Sequence, residues 1–231
     1  MEANQRTGGP KAQQLPPGRH GLSRAFVATN QRGRILDAVA DVTSAASYAE
    51  MTVEDVIVCA GVSRRTFYEH FQNKQEAFLA AYDEAAGQLA TVVVAAVESA
   101  PGFADQARAG LTAFLDFLAA EPAFARMCIV EVLAAGPEAV RRRNAVMRAF
   151  AALIDGKARE LPGPRAPAAL IAETVVGGIY EVVYTRVLRG EIRELPSLLA
   201  DLLYSSLLPY LGPGAATRER LRVLEDTAQP D

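Results

Sequence analysis

Apolar positions from Arg32 onward recur as Ile35, Leu36, Val39 and Val42, which places them on one helical face, and no proline interrupts the chain between Pro17 and Pro101. The pattern predicts a first amphipathic helix that gives way at Tyr48, Ala49 and Glu50. Thr52 then offers an N-cap with Asp55 three residues on, and Val53, Val56 and Ile57 supply the apolar face of a short second helix ending near Ala60. Gly61 suits a backbone of positive φ, and Ser63 can cap a third helix with Phe67 and Phe71 on one side. Asn73 can cap once more, with Glu76 at the reciprocal position of a capping box. It opens a long alanine-rich helix through Phe78, Leu79, Tyr82 and Leu89 toward Val97.

Pro101 with Gly102, Pro122, Gly136 with Pro137, and the run Pro162, Gly163, Pro164 and Pro167 divide the remainder. Helices are predicted from Phe103 to Ala120, from Ala123 to Ala135 and around Val140 to Ile154, the last bearing Arg141, Arg142 and Arg143 on a face read as solvated. Two more run from Ala168 to near Arg189 and from Leu195 to near Tyr210, and the polar sequence from Gly212 onward is expected to fray or form one weak turn. Leu195, Leu198, Leu199, Leu202, Leu203, Leu207 and Leu208 give the last helix more apolar surface than one solvated face explains. Gly177 and Gly178 each weaken their helix by roughly 1 kcal/mol relative to alanine, so close approach of another backbone is the expected compensation. These two helices are therefore expected to pair with their symmetry mates, with Gly177, Gly178, Leu199, Leu202, Leu203 and Leu207 at the interface. No segment reads as a strand and no repeat is visible, so the expected fold class is all-α.

Composition narrows this picture. The chain has 231 residues, 50% hydrophobic and 22% charged, enough for a substantial core. With 24 basic and 27 acidic residues the net charge is −3, so any nucleic-acid site must be local. Residues 1–34 carry Arg6, Lys11, Arg19, Arg24, Arg32 and Arg34 against the single acid Glu2, a local +5, whereas the next 52 residues carry Arg64, Arg65 and Lys74 against nine acids, a local −6. Residues 1–21, rich in glutamine, glycine and proline, read as a flexible basic arm that either solubilises the chain or lies against phosphates through Arg6, Lys11 and Arg19. Cys59 and Cys128, far apart in apolar patterns, read as core thiols of a reducing compartment. The polar N-terminus lacks a secretory signal, and no apolar run reaches the roughly 18 to 20 residues of a membrane span, so a soluble cytoplasmic protein with no membrane partner is expected. The only histidines are His20 and His70, and the pairs Gly8-Gly9 and Gly177-Gly178 lack the context of a phosphate loop. No metal, cofactor or catalytic activity is expected.

The informative stretch is Thr52 to Lys74, two short capped helices joined through Ala60, Gly61 and Val62, which is a helix-turn-helix layout. The second of the pair can enter a major groove with Ser63, Arg64, Arg65 and Thr66 at its leading end. Arginine's rigid donor fork suits guanine, and Thr66 can meet a thymine methyl. Tyr68, His70 and Lys74 fall where side chains and the next helix N-terminus can clamp phosphates.

These residues resemble the DNA-binding region of the TetR family of transcriptional regulators. The resemblance covers residues 32–78 and rests on Thr52-Val53-Glu54-Asp55-Val56-Ile57, the turn Ala60-Gly61-Val62-Ser63, and Thr66-Phe67-Tyr68-Glu69-His70-Phe71 followed by Lys74 and Phe78. Val58-Cys59 stand where family members often carry polar or small residues. The resemblance implies phosphate contacts from Thr52 and Tyr68, a Lys74 that anchors the start of the fourth helix, Phe67 and Phe71 holding the small domain together, and base reading by residues 63–70. It further implies an all-helical homodimer, with residues 1–21 an arm, 22–78 the DNA-binding domain, 79–211 an effector-binding and dimerisation domain, and 212–231 a polar tail. Candidates to line an apolar effector site are Phe103, Leu111, Phe114, Leu118, Phe124, Met127, Phe150, Ile154, Ile171, Val175 and Ile179, with Asp116, Glu131, Tyr180, Glu181 and Tyr184 as polar groups that could orient a ligand. The expected function is a ligand-responsive dimeric repressor of palindromic double-stranded operator DNA. The competing class is a helical ligand-binding or protein-interaction module with a vestigial reading head.

Overall fold

The computed structural model of the protein describes residues 24–161 and 168–228, and the chain divides into two units, Met1–Glu84 and Ala85–Asp231. The expected arm at residues 1–21 and the proline run from Pro162 to Pro167 lie outside the described residues. Every regular element among those residues is helical.

The first unit holds α1 (Arg24–Ala46), α2 (Val53–Ala60), α3 (Arg64–His70) and the start of α4 (Lys74–Ser99). α1 turns Ile35, Leu36 and Val39 inward, as their spacing requires, and Met51, Val56, Phe67, Phe71 and Phe78 of the same unit are buried as well. Phe67 gives α3 its hold on the unit. Burying such a side chain contributes on the order of 1.5–3 kcal/mol, and a seven-residue helix has little stability of its own.

The second unit holds the rest of α4, α5 (Gly102–Ala120), α6 (Pro122–Ile129), a 3-10 turn (Glu131–Leu133), α7 (Pro137–Ala158), α8 (Ala168–Leu188), a 3-10 segment (Ile192–Leu198) and α9 (Leu199–Ala228). Its main core joins Leu111, Leu115 and Leu118 of α5, Val183 and Val187 of α8, and Leu203 and Leu207 of α9. A smaller cluster joins Leu89, Val93 and Val97 of α4 to Phe114, Phe117, Phe150 and Leu153. α4 and α5 approach closely at Gly110, where an added Cβ would lie 2.7 Å from the Val97 side chain.

Several expectations are corrected here. The polar segment after Gly212 is helical through Ala228: Gly212, at φ 75°, ψ 172°, leaves the helical conformation and divides α9 into two helical pieces, the first closing where the leucine pattern ends. Beyond the kink Ala216 and Val223 are buried, and ion pairs Arg222–Asp105 (3.2 Å) and Arg108–Asp226 (3.4 Å) tie the segment to α5. A narrow apolar stripe with residues seven apart is easily hidden in a polar sequence. The leucine row is also mostly internal. Leu195, Leu202, Leu203 and Leu207 are buried within the subunit core, Leu198 and Leu199 pack against it, and Leu208 is exposed. Gly177 and Gly178 have no atom of their own subunit within 4 Å of an added Cβ, so no helix of this chain makes the close approach there, whereas Gly110 does lie against the neighbouring α4. Finally, α6 ends at Ile129 rather than Ala135 because the chain tightens into the 3-10 turn.

Candidate nucleic-acid interface

The reading head is built from caps. Thr52 and Asp55 form a reciprocal box at the start of α2: the Asp55 N–H donates to Thr52 Oγ1 (3.2 Å), while the Thr52 N–H (2.9 Å) and hydroxyl (2.6 Å) donate to the Asp55 carboxylate. These bonds hold the Asp55 carboxyl below its ordinary pKa. α2 ends in the left-handed Gly61 (φ 60°, ψ 41°), and the Val62 N–H closes the turn on Ile57 O at 3.2 Å. Ser63 caps α3 by accepting from the Thr66 N–H at 3.0 Å, and its hydroxyl meets that of Thr66 at 2.8 Å.

Two cations, Arg34 buried and Lys74 half-buried, complete the frame. The Arg34 guanidinium, reaching from α1, donates to Gly61 O (2.7 Å) and Ala60 O, so a positive charge sits at the carbonyl end of α2. In the sequence Arg34 is one more basic residue of the positively charged stretch 1–34. Its neighbours Ile35, Leu36, Ala38 and Val39 were the available sign that it points inward. Lys74 donates to Tyr48 O (3.1 Å), Ala49 O (3.3 Å) and Met51 O (2.9 Å), with its ammonium 4.9 Å from the centre of the Tyr48 ring. Its three N–H donors thus face the loop before α2, which corrects the phosphate contact expected of its side chain. At the start of α4, Asn73 accepts from the Glu76 N–H (2.9 Å), while Glu76 accepts from Gln72 N–H (2.7 Å) rather than from Asn73.

With Phe67 and Phe71 inward, α3 shows solvent Arg64, Arg65, Tyr68 and Glu69, and Thr66 is half-buried beside Ser63. Tyr68, 52% exposed, stands edge-on against Phe67. His70 lies half-buried at the end of the helix against Phe71. Thr52 is exposed at the start of α2. Ser63, Arg64, Arg65, Thr66 and Tyr68 therefore share one capped, seven-residue element. A rigid short helix whose outward face carries donor forks, hydroxyls and a phenol is suited to base edges and phosphates.

Residues 35–81 match the bacterial regulatory proteins of the TetR family in their N-terminal region. Residues 35–81 thus carry the DNA-binding region of that family. Among solved structures the chain is similar to the fatty acid degradation regulator FadR of Bacillus halodurans (21% identity, TM-score 0.70, 77% of this chain and 94% of that one). The FadR of Bacillus subtilis, solved in complex with stearoyl-CoA, has 20% identity and TM-score 0.68 over 78% of this chain and 98% of its own. SmeT, the repressor of the Stenotrophomonas maltophilia multidrug efflux pump SmeDEF, has 20% identity and TM-score 0.63 over 78% and 89%. At these identities the structures share the TetR fold. No curated protein sequence matches the chain significantly.

The expected effector positions separate by depth. Leu111, Leu118 and Met127 are fully packed core, while Phe103, Phe114, Ile179, Tyr180 and Tyr184 pack around the main cluster and Phe150 around the smaller one. Phe124, Ile154, Ile171 and Val175 are half-buried, and Asp116 and Glu181 are exposed. Glu131 is buried with Arg126 at 3.5 Å. Tyr180 donates to Ile129 O at 2.5 Å, stacks on Tyr184, and lies under the Arg143 guanidinium at 3.8 Å. Burial raises its pKa, with Arg143 opposing. Arg143 is thus drawn inward from the triplet expected to be solvated, whereas Arg141 pairs outside with Glu138. Burial also pushes the Cys128 thiol up to about 12, which favours its protonated form.

Proposed function

We propose that this protein is a dimeric, ligand-responsive repressor of the TetR family that grips a palindromic double-stranded operator through α3 and releases it when a small apolar effector enters the C-terminal unit. The observation that carries this reading is the capped α3. Phe67 fixes it to the core while Arg64, Arg65, Thr66 and Tyr68 face outward where a major groove would lie. Ser63 and Thr52 add hydroxyls at the two helix starts, and His70 lies at the far end of α3, in positions suited to phosphates.

Support for an apolar effector comes from the second unit, where Phe103, Phe114, Tyr180 and Tyr184 pack around the main core and Phe150 around the smaller cluster, with Arg143 over Tyr180 and the buried Glu131 beside Arg126 as polar groups. The stearoyl-CoA held by the B. subtilis relative of this fold agrees in character. Support for the dimer is an outward face on α8 and α9 that keeps Gly178, Val182 and Leu208 exposed, with open space above Gly177 and Gly178. Two reading heads at a fixed spacing bind a palindrome together, so an effector that prefers another spacing lowers operator affinity by the factor by which operator lowers effector affinity.

The test is selection from a genome-derived library of double-stranded fragments at near-physiological salt, using protein whose solution mass is that of a dimer. Enrichment of a palindrome is the expected result. A folded dimer that enriches no sequence favours a helical ligand-binding module instead.

A further inference from the structure

Both arginines at the head of α3 are already engaged by carboxylates. Arg65 Nε lies 2.9 Å from Glu69, four residues along the same helix, a neighbour that helical geometry alone supplies. Arg64 Nη2 lies 2.5 Å from Glu54, which comes from α2 ten residues back and is brought there by the helix-turn-helix fold. The adjacent Asp55 is occupied by Thr52, so Glu54 is the acid of this turn that reaches across to α3. The pair is open to solvent, with the Arg64 side chain 68% and that of Glu54 57% exposed. Glu54 also holds the Arg64 guanidinium more firmly charged.

We infer that Glu54 is a specificity-determining residue of the reading head, setting how Arg64 discriminates a base edge from the phosphate backbone. The inference rests on the DNA-reading function proposed above. A guanidinium has five N–H donors, and the carboxylate takes one of them on Nη2, leaving the other edge of the fork for a paired acceptor such as guanine O6 and N7. A phosphate attracts Arg64 by charge, and the pair Arg64–Glu54 is neutral. To bind Arg64 strongly a phosphate must displace one anion with another, an exchange with little net gain. A base edge adds to the pair without displacing it, and meets a guanidinium already turned by its partner. Sequence-independent affinity is thus suppressed at this position while the directional contact is retained.

The experiment compares the parent protein, Glu54→Gln and Glu69→Gln on the operator recovered by selection and on random-sequence duplex of equal length, across a salt series. Glutamine preserves size, and both acids are exposed, so circular dichroism should show all three proteins equally folded. Glu54→Gln is expected to tighten random-sequence binding by about three- to tenfold, and to steepen its salt dependence by about one counterion. The operator should gain less, and a repeated selection should show broadened base preference at one position of each half-site. Glu69→Gln should tighten random-sequence binding without that broadening. An unchanged ratio of operator to random-sequence affinity overturns the inference, as does equal weakening on both DNAs or equal broadening in the two variants. A parent protein that selects no operator overturns the DNA-reading function itself, and this inference with it.

Discussion

The two units reach order by different routes. In the first, the decisive features are short-range: a capping box at Thr52 and Asp55, a left-handed Gly61, and a serine cap at Ser63. In the second, caps are sparse; α5, α6 and α7 begin without a side-chain cap bond, and stability comes from leucines and aromatics meeting across distant helices. A reading element must keep its side chains free for a partner, so its own backbone groups are satisfied locally. A core exposes no such chemistry and can be organised by volume and contact alone.

That contrast can be broken most directly at Leu203, which lies fully buried in the main core of the second unit. Leu203→Ala is expected to lower stability by about 2–5 kcal/mol in urea unfolding while leaving the selected base sequence unchanged. A loss under about 1 kcal/mol would return the leucine row to a surface role.

Arg34 sharpens the comparison, because with Lys74 it is a long-range contact in a unit whose caps and turn are fixed locally. Arg34→Met, which keeps much of the stem but removes the bonds to Ala60 and Gly61, should cost about 1.5–3 kcal/mol in the same assay. Operator affinity should fall with it, since the turn ahead of α3 loses its clamp. Unchanged stability would show that Gly61 and Ser63 fix the turn by themselves.

The smallest effect belongs to the α2 cap. Thr52→Ala should cost about 0.5–2 kcal/mol near neutral pH. Because the Asp55 carboxyl is held below its ordinary value by Thr52, the linked stability is present above the ordinary carboxylate range and lost as pH falls through the lowered folded value. The difference between parent and variant should therefore shrink on acidification, measured by urea unfolding from about pH 7 to about pH 3. A difference independent of pH would mean that Asp55 contributes nothing to the cap.

How far the site could be read in advance follows from the same contrast. Thr52, Gly61, Ser63, Phe67 and Phe71 were legible because a cap or a left-handed turn is written within four residues. The partners of Lys74 are not legible because its charge suggests phosphate, while the carbonyls of Tyr48, Ala49 and Met51 that accept its hydrogen bonds lie more than twenty residues earlier. The same distance hid Arg34. In the second unit the leucines were rightly seen as excess apolar surface, yet period alone cannot say whether a subunit's own helices or a second copy covers them. Gly110 carried no sign at all, since its partner is Val97 on the helix before.

The sequence by itself therefore determined the helices up to Gly212, the caps of α2 and α3 and the outward chemistry of α3, because these depend on residues a turn or two apart. The tertiary structure decided which cations are structural, which leucines are core, that the chain beyond Gly212 is helical with its Ala216 and Val223 buried, and that Arg64 faces Glu54. Those outcomes depend on which surfaces meet in space, and a polar or apolar side chain takes its role from the group it meets there.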